Sequence, residues 1–87
     1  MHRDIKPANI LIHNNVYKIC DFSWACYVKD NRSEPGGTPR YVSPQILLRE
    51  KYDQKTDIWS IGIMYYELIY NELPFNINSL FYNKKYN

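Results

Sequence analysis

HRDIKPAN, at residues 2–9, places a histidine, two cations, a carboxylate and an amide in eight positions directly before an apolar run. A single polar stretch of this kind usually forms a loop in which side chains such as His2 and Asp4 cap neighbouring turns. A functional interpretation therefore requires further signals at fixed distances along the chain.

The segment that follows has the pattern of a β-hairpin. Residues 10–12 (ILI) and 16–19 (VYKI) are β-branched or aromatic runs, and two asparagines at 14 and 15 tolerate the positive φ of a tight turn. A two-residue turn pairs residue 13 with 16 and residue 9 with 20. This register predicts that Asn9 lies beside Asp21 at the open end of the hairpin, where two oxygen ligands converge.

Beyond the hairpin, the sequence predicts a loop and two helices. Residues 27–40 (YVKDNRSEPGGTPR) are polar and interrupted by prolines and glycines, which indicates an exposed loop that is functional or disordered. Ser43 before Pro44 predicts an N-cap and a short helix over 44–50. A longer helix is predicted from residue 56 or 57 to about 71, with a stop signal at Pro74. This helix is apolar on nearly every face, which predicts burial on all sides.

Length, composition and charge limit the possible functions. The 87 residues suffice for one small domain or part of one, and 45% hydrophobic and 23% charged residues are typical of a globular chain. A net charge of +2 with scattered basic residues argues against nucleic-acid binding. The longest apolar run, residues 58–70, is shorter than the roughly 20 residues of a membrane span, so no span is predicted.

The two cysteines, Cys20 and Cys26, have neither the spacing of a zinc site nor the number expected in a disulfide scaffold. Reduced thiols and an intracellular location, cytoplasmic or nuclear, are the simplest interpretation. The first residues lack the apolar stretch of a signal peptide. Residues 76–87 are rich in Asn, Lys and Tyr and are predicted to form a poorly ordered tail or the start of a further segment.

Four motifs occur in order along the chain: HRDIKPAN (2–9), DF (21–22), GTPRYVSPQ (37–45) and DIWSIG (57–62). Their order and spacing resemble those of eukaryotic protein kinases. The resemblance covers residues 1 to about 75 and implies an α+β fold, mostly α, that is part of a kinase large lobe. Lys6, Pro7 and GTPRY are similar to serine/threonine kinases, and Trp24 after the DFS triplet is similar to the Aurora group.

The resemblance implies ATP-dependent phosphoryl transfer to Ser or Thr hydroxyls of protein substrates, with an activating protein as a further expected partner. This chemistry needs an acceptor for the hydroxyl proton and hard oxygen ligands for magnesium. Asp4 matches the catalytic base of the family. Lys6 matches the residue that neutralises charge on the transferring phosphate, and Thr38 matches a residue that hydrogen-bonds near Asp4.

The expected cofactors are ATP and Mg²⁺. In the resemblance, Asn9 and Asp21 match the magnesium ligands. Leu11 matches the apolar side chain beneath the adenine ring, and Cys20 lines the same pocket.

Regulation is implied by Arg3, which matches the arginine that reads a phosphate on the activation loop through charge-assisted hydrogen bonds. Glu34 aligns with the activating phosphothreonine of Aurora-type kinases, and Ser33 precedes it. Glu34 is therefore predicted to mimic part of the phosphate charge, with Ser33 as a further phosphorylation site. The alternative is a solvated glutamate in a polar loop.

Other positions match structural residues of the family, namely His2, Phe22 and Trp59, with Gly62 as a further packing residue. Asp57 matches the aspartate that hydrogen-bonds the backbone of the loop at its beginning. Taken alone, an aspartate at the start of a helix is more often a cap.

The sequence also departs from the family pattern. Ser23 stands where the family has a glycine whose freedom in φ lets the turn switch between forms. Serine predicts a stiffer switch and puts magnesium binding by Asp21 in question. Gln45 replaces a glutamate and Ser43 the alanine of the same motif, which predicts a weakened or differently anchored segment.

Three functions are compatible with these observations. The glycine-rich loop, the strand lysine with its helix glutamate and the later helices of the family have no counterpart in the 87 residues, so these residues alone are predicted to be inactive. The alternatives to a catalytic segment are a kinase-like remnant that binds a partner through its apolar helix, and a kinase acting on small molecules or lipids. GTPRYVSPQ, which resembles a segment that seats a peptide substrate, argues against the latter.

Overall fold

The computed structural model describes residues 1–30 and 36–75. Two antiparallel strands precede two helices, so the described part of the chain is a mixed α+β structure. In order, its elements are a 3-10 turn (Pro7–Asn9), β1 (Ile10–His13), β2 (Val16–Ile19), a second 3-10 turn (Val28–Asp30), α1 (Pro44–Leu47) and α2 (Lys55–Tyr70).

The predicted hairpin is confirmed. β1 and β2 pair from Ile10 opposite Ile19 to His13 opposite Val16. The two asparagines of the turn both adopt positive φ, 50° at residue 14 and 62° at residue 15, as a type I′ turn requires. The N–H of residue 20 donates to the carbonyl oxygen of Asn9 at 2.8 Å, which extends the predicted register to the open end.

Most hairpin side chains are exposed. All strand residues after Ile10 are exposed, and among their large apolar side chains Tyr17 is the most exposed at 72%. A two-stranded ribbon cannot cover its own faces, so a hairpin of this composition gains little free energy from burial unless another element packs against it.

α1 is shorter than predicted, although it begins as predicted with Ser43 at the N-cap and Pro44 at the first helical position. The helix ends at Leu47 rather than residue 50, because Leu48 leaves helical geometry and Arg49 turns left-handed with φ 58°. Ser43 occupies the N-cap position but makes no side-chain cap hydrogen bond. Its hydroxyl is buried and instead lies 2.6 Å from the Thr56 hydroxyl, a partner that fixes α1 to the start of α2.

α2 begins and ends close to the predicted limits. It runs from Lys55 to Tyr70, and Asn71 follows in the left-handed conformation with φ 56°. The N–H of Asn71 donates to the carbonyl oxygen of Glu67 at 2.8 Å, which ends the helix with an αL cap. None of the helices in residues 1–30 and 36–75 is long and apolar enough to cross a bilayer.

The prediction that α2 is buried on all sides is not met among the described residues. Only Thr56, Ser60 and Ile63 are buried. Gly62 was expected to be a packing residue, but a Cβ there would meet nothing within 4 Å. The exposed large apolar side chains of α2 are Ile58, Ile61, Tyr65, Leu68, Ile69 and Tyr70.

The core lies between α1 and the segment that leads into α2. It consists of Val42, Ile46 and Tyr52, with Met1 and Leu47 packed against it. The core therefore joins the first residue of the chain to the region that follows the loop at 36–40.

Candidate active site

Asp57 holds the backbone at the start of residues 2–9, which we call the 2–9 loop. Its Oδ2 accepts a hydrogen bond from the N–H of His2 at 2.7 Å, and its Oδ1 accepts one from the N–H of Arg3 at 2.9 Å. These are the contacts expected of Asp57. Arg3 has φ 72°, a conformation that costs free energy in any residue except glycine. The Asp57 carboxylate thus stabilises a strained bend directly before Asp4.

The His2 side chain connects the 2–9 loop to the end of β2. The N–H of Asp4 donates to His2 Nδ1 at 3.0 Å, so the ring proton resides on Nε2. Nε2 donates to the carbonyl oxygen of Cys20 at 2.9 Å. The ring of Phe22 meets the imidazole edge-on, with centroids 5.0 Å apart. These contacts support structural roles for His2 and Phe22.

Asp4 lies at the centre of a hydrogen-bonded cluster and is only 7% exposed. Its Oδ1 accepts a hydrogen bond from Thr38 Oγ1 at 2.7 Å. Nδ2 of Asn9 donates to Asp4 Oδ2 at 3.1 Å and to the Asp4 carbonyl oxygen at 2.9 Å. Both carboxylate oxygens are therefore oriented by neighbours from different parts of the chain.

Lys6 adds a positive charge to this cluster. Its Nζ donates to Thr38 Oγ1 at 2.7 Å and lies 4.0 Å from Asp4 Oδ2. The Thr38 hydroxyl accepts from Lys6 and donates to Asp4, so it bridges the cation and the anion. The structure thus brings together the three side chains that the sequence predicted to be catalytic.

Gly37 sets the position of Thr38, and the sequence reasoning missed this role. Gly37 has φ 71°, and a Cβ there would lie 2.1 Å from the carbonyl oxygen of Arg3 and 2.7 Å from Cγ1 of Val42. Only a residue without a side chain allows the two backbones to approach this closely. The paired glycines before Thr38 were a visible signal for such an approach.

Asp21 stands in a different environment from Asp4. It has φ 61° and an exposed side chain. Its Oδ1 accepts hydrogen bonds from the hydroxyl of Ser23 at 2.6 Å and from the N–H of Ser23 at 3.2 Å. These two hydrogen bonds, the hydroxyl first, hold the pKa of the Asp21 carboxyl below its usual value, and the carboxylate is anionic at neutral pH.

The predicted convergence of Asn9 and Asp21 is present in the backbone and not in the side-chain contacts. The hairpin register brings the two residues to the same open end. The Asn9 amide, however, bonds to Asp4, whereas the Asp21 carboxylate bonds to Ser23. In the described ranges there is no group of three or more His, Cys, Asp and Glu side chains that could hold a metal ion.

Leu11 and Cys20 lie on the same face of the hairpin. Leu11 follows Ile10 and Cys20 follows Ile19, and because Ile10 and Ile19 are paired, the next residues point to the opposite face together. Leu11 is 54% exposed and Cys20 is half-buried, with a free thiol. The two side chains predicted to contact adenine therefore lie on one face of the hairpin, which Lys18 shares as the cross-strand partner of Leu11.

Arg3 makes contacts that the sequence did not predict. Its Nε donates to the carbonyl oxygen of Trp24, and its Nη1 donates to the hydroxyl of Tyr52 at 2.7 Å. The other two residues of the predicted regulatory set, Ser33 and Glu34, lie outside the described residues, and their role stays a prediction.

Tyr41 connects the loop that carries Thr38 to α2. Its hydroxyl donates to Glu67 Oε1 at 2.7 Å, and its carbonyl oxygen accepts from the hydroxyl of Ser60 at 2.7 Å. Burial, together with the hydrogen bond and charge of Glu67, raises the pKa of Tyr41 to about 12. In the first half of α2, Trp59 is partly buried and stacks on Phe75 with ring centroids 5.7 Å apart.

A family model described as the protein kinase domain matches residues 1–86. The chain belongs to the protein kinase domain family. The predicted family resemblance is therefore confirmed.

Related proteins are named as serine/threonine kinases. An Aurora kinase of Yarrowia lipolytica is 46% identical over 77 residues, which cover 86% of this chain and 21% of that protein. A probable serine/threonine-protein kinase of Encephalitozoon cuniculi is 45% identical over 69 residues, covering 79% of this chain and 13% of that protein. The serine/threonine-protein kinase TIO of Arabidopsis thaliana is 40% identical over 85 residues, covering 93% of this chain and 6% of that protein. The kinase domain segment thus spans about a fifth or less of these relatives.

Proposed function

We propose that this chain is the catalytic-loop and activation-segment part of a protein serine/threonine kinase that transfers phosphate from ATP to protein hydroxyls. The observation that carries the proposal is the cluster around Asp4. A buried carboxylate held by Thr38 at 2.7 Å and by Asn9 at 3.1 Å has a fixed direction before any substrate binds. Fixed acceptors of this kind are what positioned proton transfer and electrostatic catalysis require.

Each residue of the cluster has a chemical task in the proposal. Asp4 accepts the proton of the attacking Ser or Thr hydroxyl and orients that oxygen. Lys6 carries a positive charge next to this acceptor, where it lowers the cost of negative charge on the transferring group. Thr38 keeps the two in register because its hydroxyl bonds to both.

The residues present fit Mg²⁺ as a partial ligand set. Because Nδ2 of Asn9 is occupied by Asp4, the Oδ1 atom of the amide is left as its ligand oxygen. Asp21 supplies an exposed, anionic carboxylate. Magnesium is commonly held by one or two protein oxygens, with phosphates and water completing the shell, so this pair suffices. Bound Mg²⁺ and ATP would supply the transferable phosphoryl group and neutralise part of its charge.

Leu11 and Cys20 provide an apolar surface for the adenine base in the proposal. They share the hairpin face that includes Asn9, and Asp21 follows Cys20 at the same open end, so a nucleotide lying along this face would have its base near the strands and its phosphates near the oxygen ligands. Leu11 is more than half exposed, and covering it with an aromatic base would remove apolar surface from water.

The exposed apolar surfaces support placing the chain in the large lobe of a kinase. A groove of about 440 Å³ runs between the hairpin and α2, and nearly all of its lining is apolar. Its walls include Ile5, Ile12, Tyr17, Met64 and Leu68. A monomeric protein rarely leaves such a surface in water, so we infer that further elements of the intact enzyme cover it.

The test is a phosphotransfer assay with Mg²⁺-ATP on this chain and on a version extended upstream to the preceding in-frame start. We expect activity in the extended version and a loss of about 10²- to 10⁴-fold in Asp4→Asn, because the proton acceptor is removed. Asp53→Asn, which changes an exposed carboxylate away from the cluster, is the matched control and should keep full activity.

The same apolar groove favours a second candidate, a kinase-like remnant that only binds a partner. The assay separates the two. Phosphate transfer that Asp4→Asn removes supports the kinase, whereas folded but inactive protein in both versions supports the remnant. In the latter case Ser23 and Gln45, which depart from the family pattern, are the first positions to restore.

A further inference from the structure

The Arg3 guanidinium lies where three separate parts of the chain meet. Its Nε bonds to the carbonyl oxygen of Trp24, just after the Asp21 turn, and its Nη1 bonds to the hydroxyl of Tyr52 in the core. A Cβ added at Gly36 would lie 3.6 Å from Nη1 of Arg3 and 3.3 Å from the Trp24 ring. The loop that carries Thr38 therefore passes directly against the same guanidinium.

Tyr52 is a rigid partner for this arginine. It is only 6% exposed and packs with Val42 and Ile46, so its ring is held without help from Arg3. An aromatic side chain fixed in a core presents its hydroxyl at low entropic cost. Arg3 is also only 6% exposed, which makes the 2.7 Å hydrogen bond between them a buried, charge-assisted one.

The segment before and at the start of α2 thus holds Arg3 twice. The Asp57 carboxylate accepts a hydrogen bond from the backbone N–H of Arg3, and the Tyr52 hydroxyl accepts one from Nη1 of the Arg3 side chain. The carbonyl oxygen of Arg3 faces Gly37, and the next residue is Asp4. A rotation of Arg3 would therefore move the catalytic carboxylate and the Thr38 hydroxyl relative to each other.

We propose that Tyr52 is a positioning residue that fixes the Arg3 guanidinium and, through it, the alignment of Asp4 with Thr38. The proposal goes beyond the kinase assignment and, for its effect on turnover, rests on it. Tyr52 acts on the arrangement of the site without touching substrate or nucleotide.

The first test is independent of activity. In the full chain, exchange of the Arg3 Nε–H with solvent is measured by NMR in the wild type, in Tyr52→Phe and in Tyr65→Phe. Tyr52→Phe keeps the core ring and removes only the hydroxyl, and Tyr65 is an exposed tyrosine on α2 that serves as the matched control. We expect Nε–H exchange to be roughly tenfold faster in Tyr52→Phe and unchanged in Tyr65→Phe, because Tyr52→Phe removes one of the hydrogen bonds that hold the guanidinium.

The second test measures turnover in the extended version. Tyr52→Phe should lower kcat roughly fivefold to tenfold with little change in KM, since alignment of Asp4 acts on the chemical step. In an Arg3→Lys background, which lacks Nη1, Tyr52→Phe should add no further loss. A general loss of stability would instead appear equally in both backgrounds.

The outcomes separate the inference from the kinase proposal. If the wild type is inactive in every version, the kinase proposal fails, and the exchange rate of the Arg3 Nε–H still decides whether Tyr52 positions Arg3. If Tyr52→Phe exchanges and turns over like Tyr65→Phe, Tyr52 is only a packing residue and the inference is overturned.

Discussion

The 2–9 loop and the turn at residues 21–23 both bend at a residue with positive φ, and both carry an aspartate carboxylate. They differ in what holds them. Asp4 is buried, and its carboxylate bonds to Thr38 and Asn9. Asp21 is exposed, and within residues 1–30 and 36–75 its carboxylate accepts hydrogen bonds only from Ser23 in its own turn. The position of the proposed base is thus fixed by the tertiary structure of this chain. The direction of the proposed metal ligand depends on a local turn.

This difference has a physical consequence for function. A carboxylate held by buried, long-range hydrogen bonds loses its orientation only when the fold opens. A carboxylate held by an exposed turn competes with water for every contact and can rotate while the fold stays intact. The 2–9 loop therefore holds its carboxylate in one direction before any ligand binds, whereas the carboxylate of the turn at 21–23 is held only locally.

The largest expected effect is that of Gly37→Ala. This substitution disturbs the hydrogen-bonded region around Asp4, namely the 2–9 loop with Gly37 and Thr38, which we call the anchored region. The new Cβ would lie 2.1 Å from the Arg3 carbonyl oxygen, and φ of 71° is unfavourable for alanine. We expect a loss of more than about 2 kcal/mol in the free energy of unfolding, measured by urea denaturation, and displacement of Thr38 from Asp4.

Gly62→Ala is the matched control for that substitution. Its Cβ would meet nothing within 4 Å, and the residue lies inside α2, where alanine is the better helix former. The control should gain up to about 1 kcal/mol. Equal effects of the two substitutions would show that the 2–9 loop is not held by its contact with Gly37, and the contrast with the 21–23 turn would lose its main support.

The pKa of Tyr41 tests whether the anchored region extends from Thr38 to α2. The effect on stability of losing the Tyr41–Glu67 contact should be smaller than that of Gly37→Ala and larger than that of Ser23→Ala. With a folded-state pKa of about 12, Tyr41 stays neutral while a tyrosine in the unfolded chain ionises near 10. The Tyr41–Glu67 contact therefore stabilises the fold fully below about pH 10, and this contribution is lost as the pH rises toward 12.

The measurement is an NMR titration of the tyrosine ring carbons, with Tyr41→Phe to assign the signal. Glu67→Gln is the matched variant, because it keeps a hydrogen-bond acceptor and removes the charge that opposes ionisation, so the pKa of Tyr41 should fall. If Tyr41 titrates together with the exposed tyrosines, the anchored region ends at Thr38.

Sequence patterns predicted the local structure because its causes are local. The paired asparagines at 14 and 15 set the hairpin turn and its register, and Asn71 ended α2 where a helix stop was expected. The motifs predicted a catalytic set of Asp4, Lys6 and Thr38, and in the structure these three side chains are in contact.

The contacts that sequence reasoning missed are between distant residues with no pattern of their own. Ser43 was expected to cap α1, and its hydroxyl instead bonds to Thr56, because burial favours a buried partner over a helix end. The Arg3–Tyr52 and Tyr41–Glu67 hydrogen bonds likewise depend on which segments pack together. The expected packing around α2 failed for the same reason, since no described element covers Gly62.

The smallest expected effect is that of Ser23→Ala, which tests the exposed turn at residues 21–23. The Ser23 hydroxyl is the main cause of the lowered pKa of Asp21, and its removal leaves only the longer hydrogen bond from the backbone N–H. We expect the Asp21 pKa to rise toward its ordinary value in Ser23→Ala and to stay low in Ser23→Thr, which keeps a hydroxyl.

The lowered pKa of Asp21 contributes stability to the fold above the ordinary pKa of an aspartate, and this contribution is lost as the pH falls through the folded-state pKa. Because Asp21 is exposed and its charge is screened by solvent, the urea midpoint at neutral pH should hardly change, and the readout is a titration of the Asp21 carboxyl carbon by NMR. An identical titration in wild type and Ser23→Ala would mean that the hydroxyl does not hold the carboxylate, and that serine in place of glycine leaves the turn as free to switch as in other kinases.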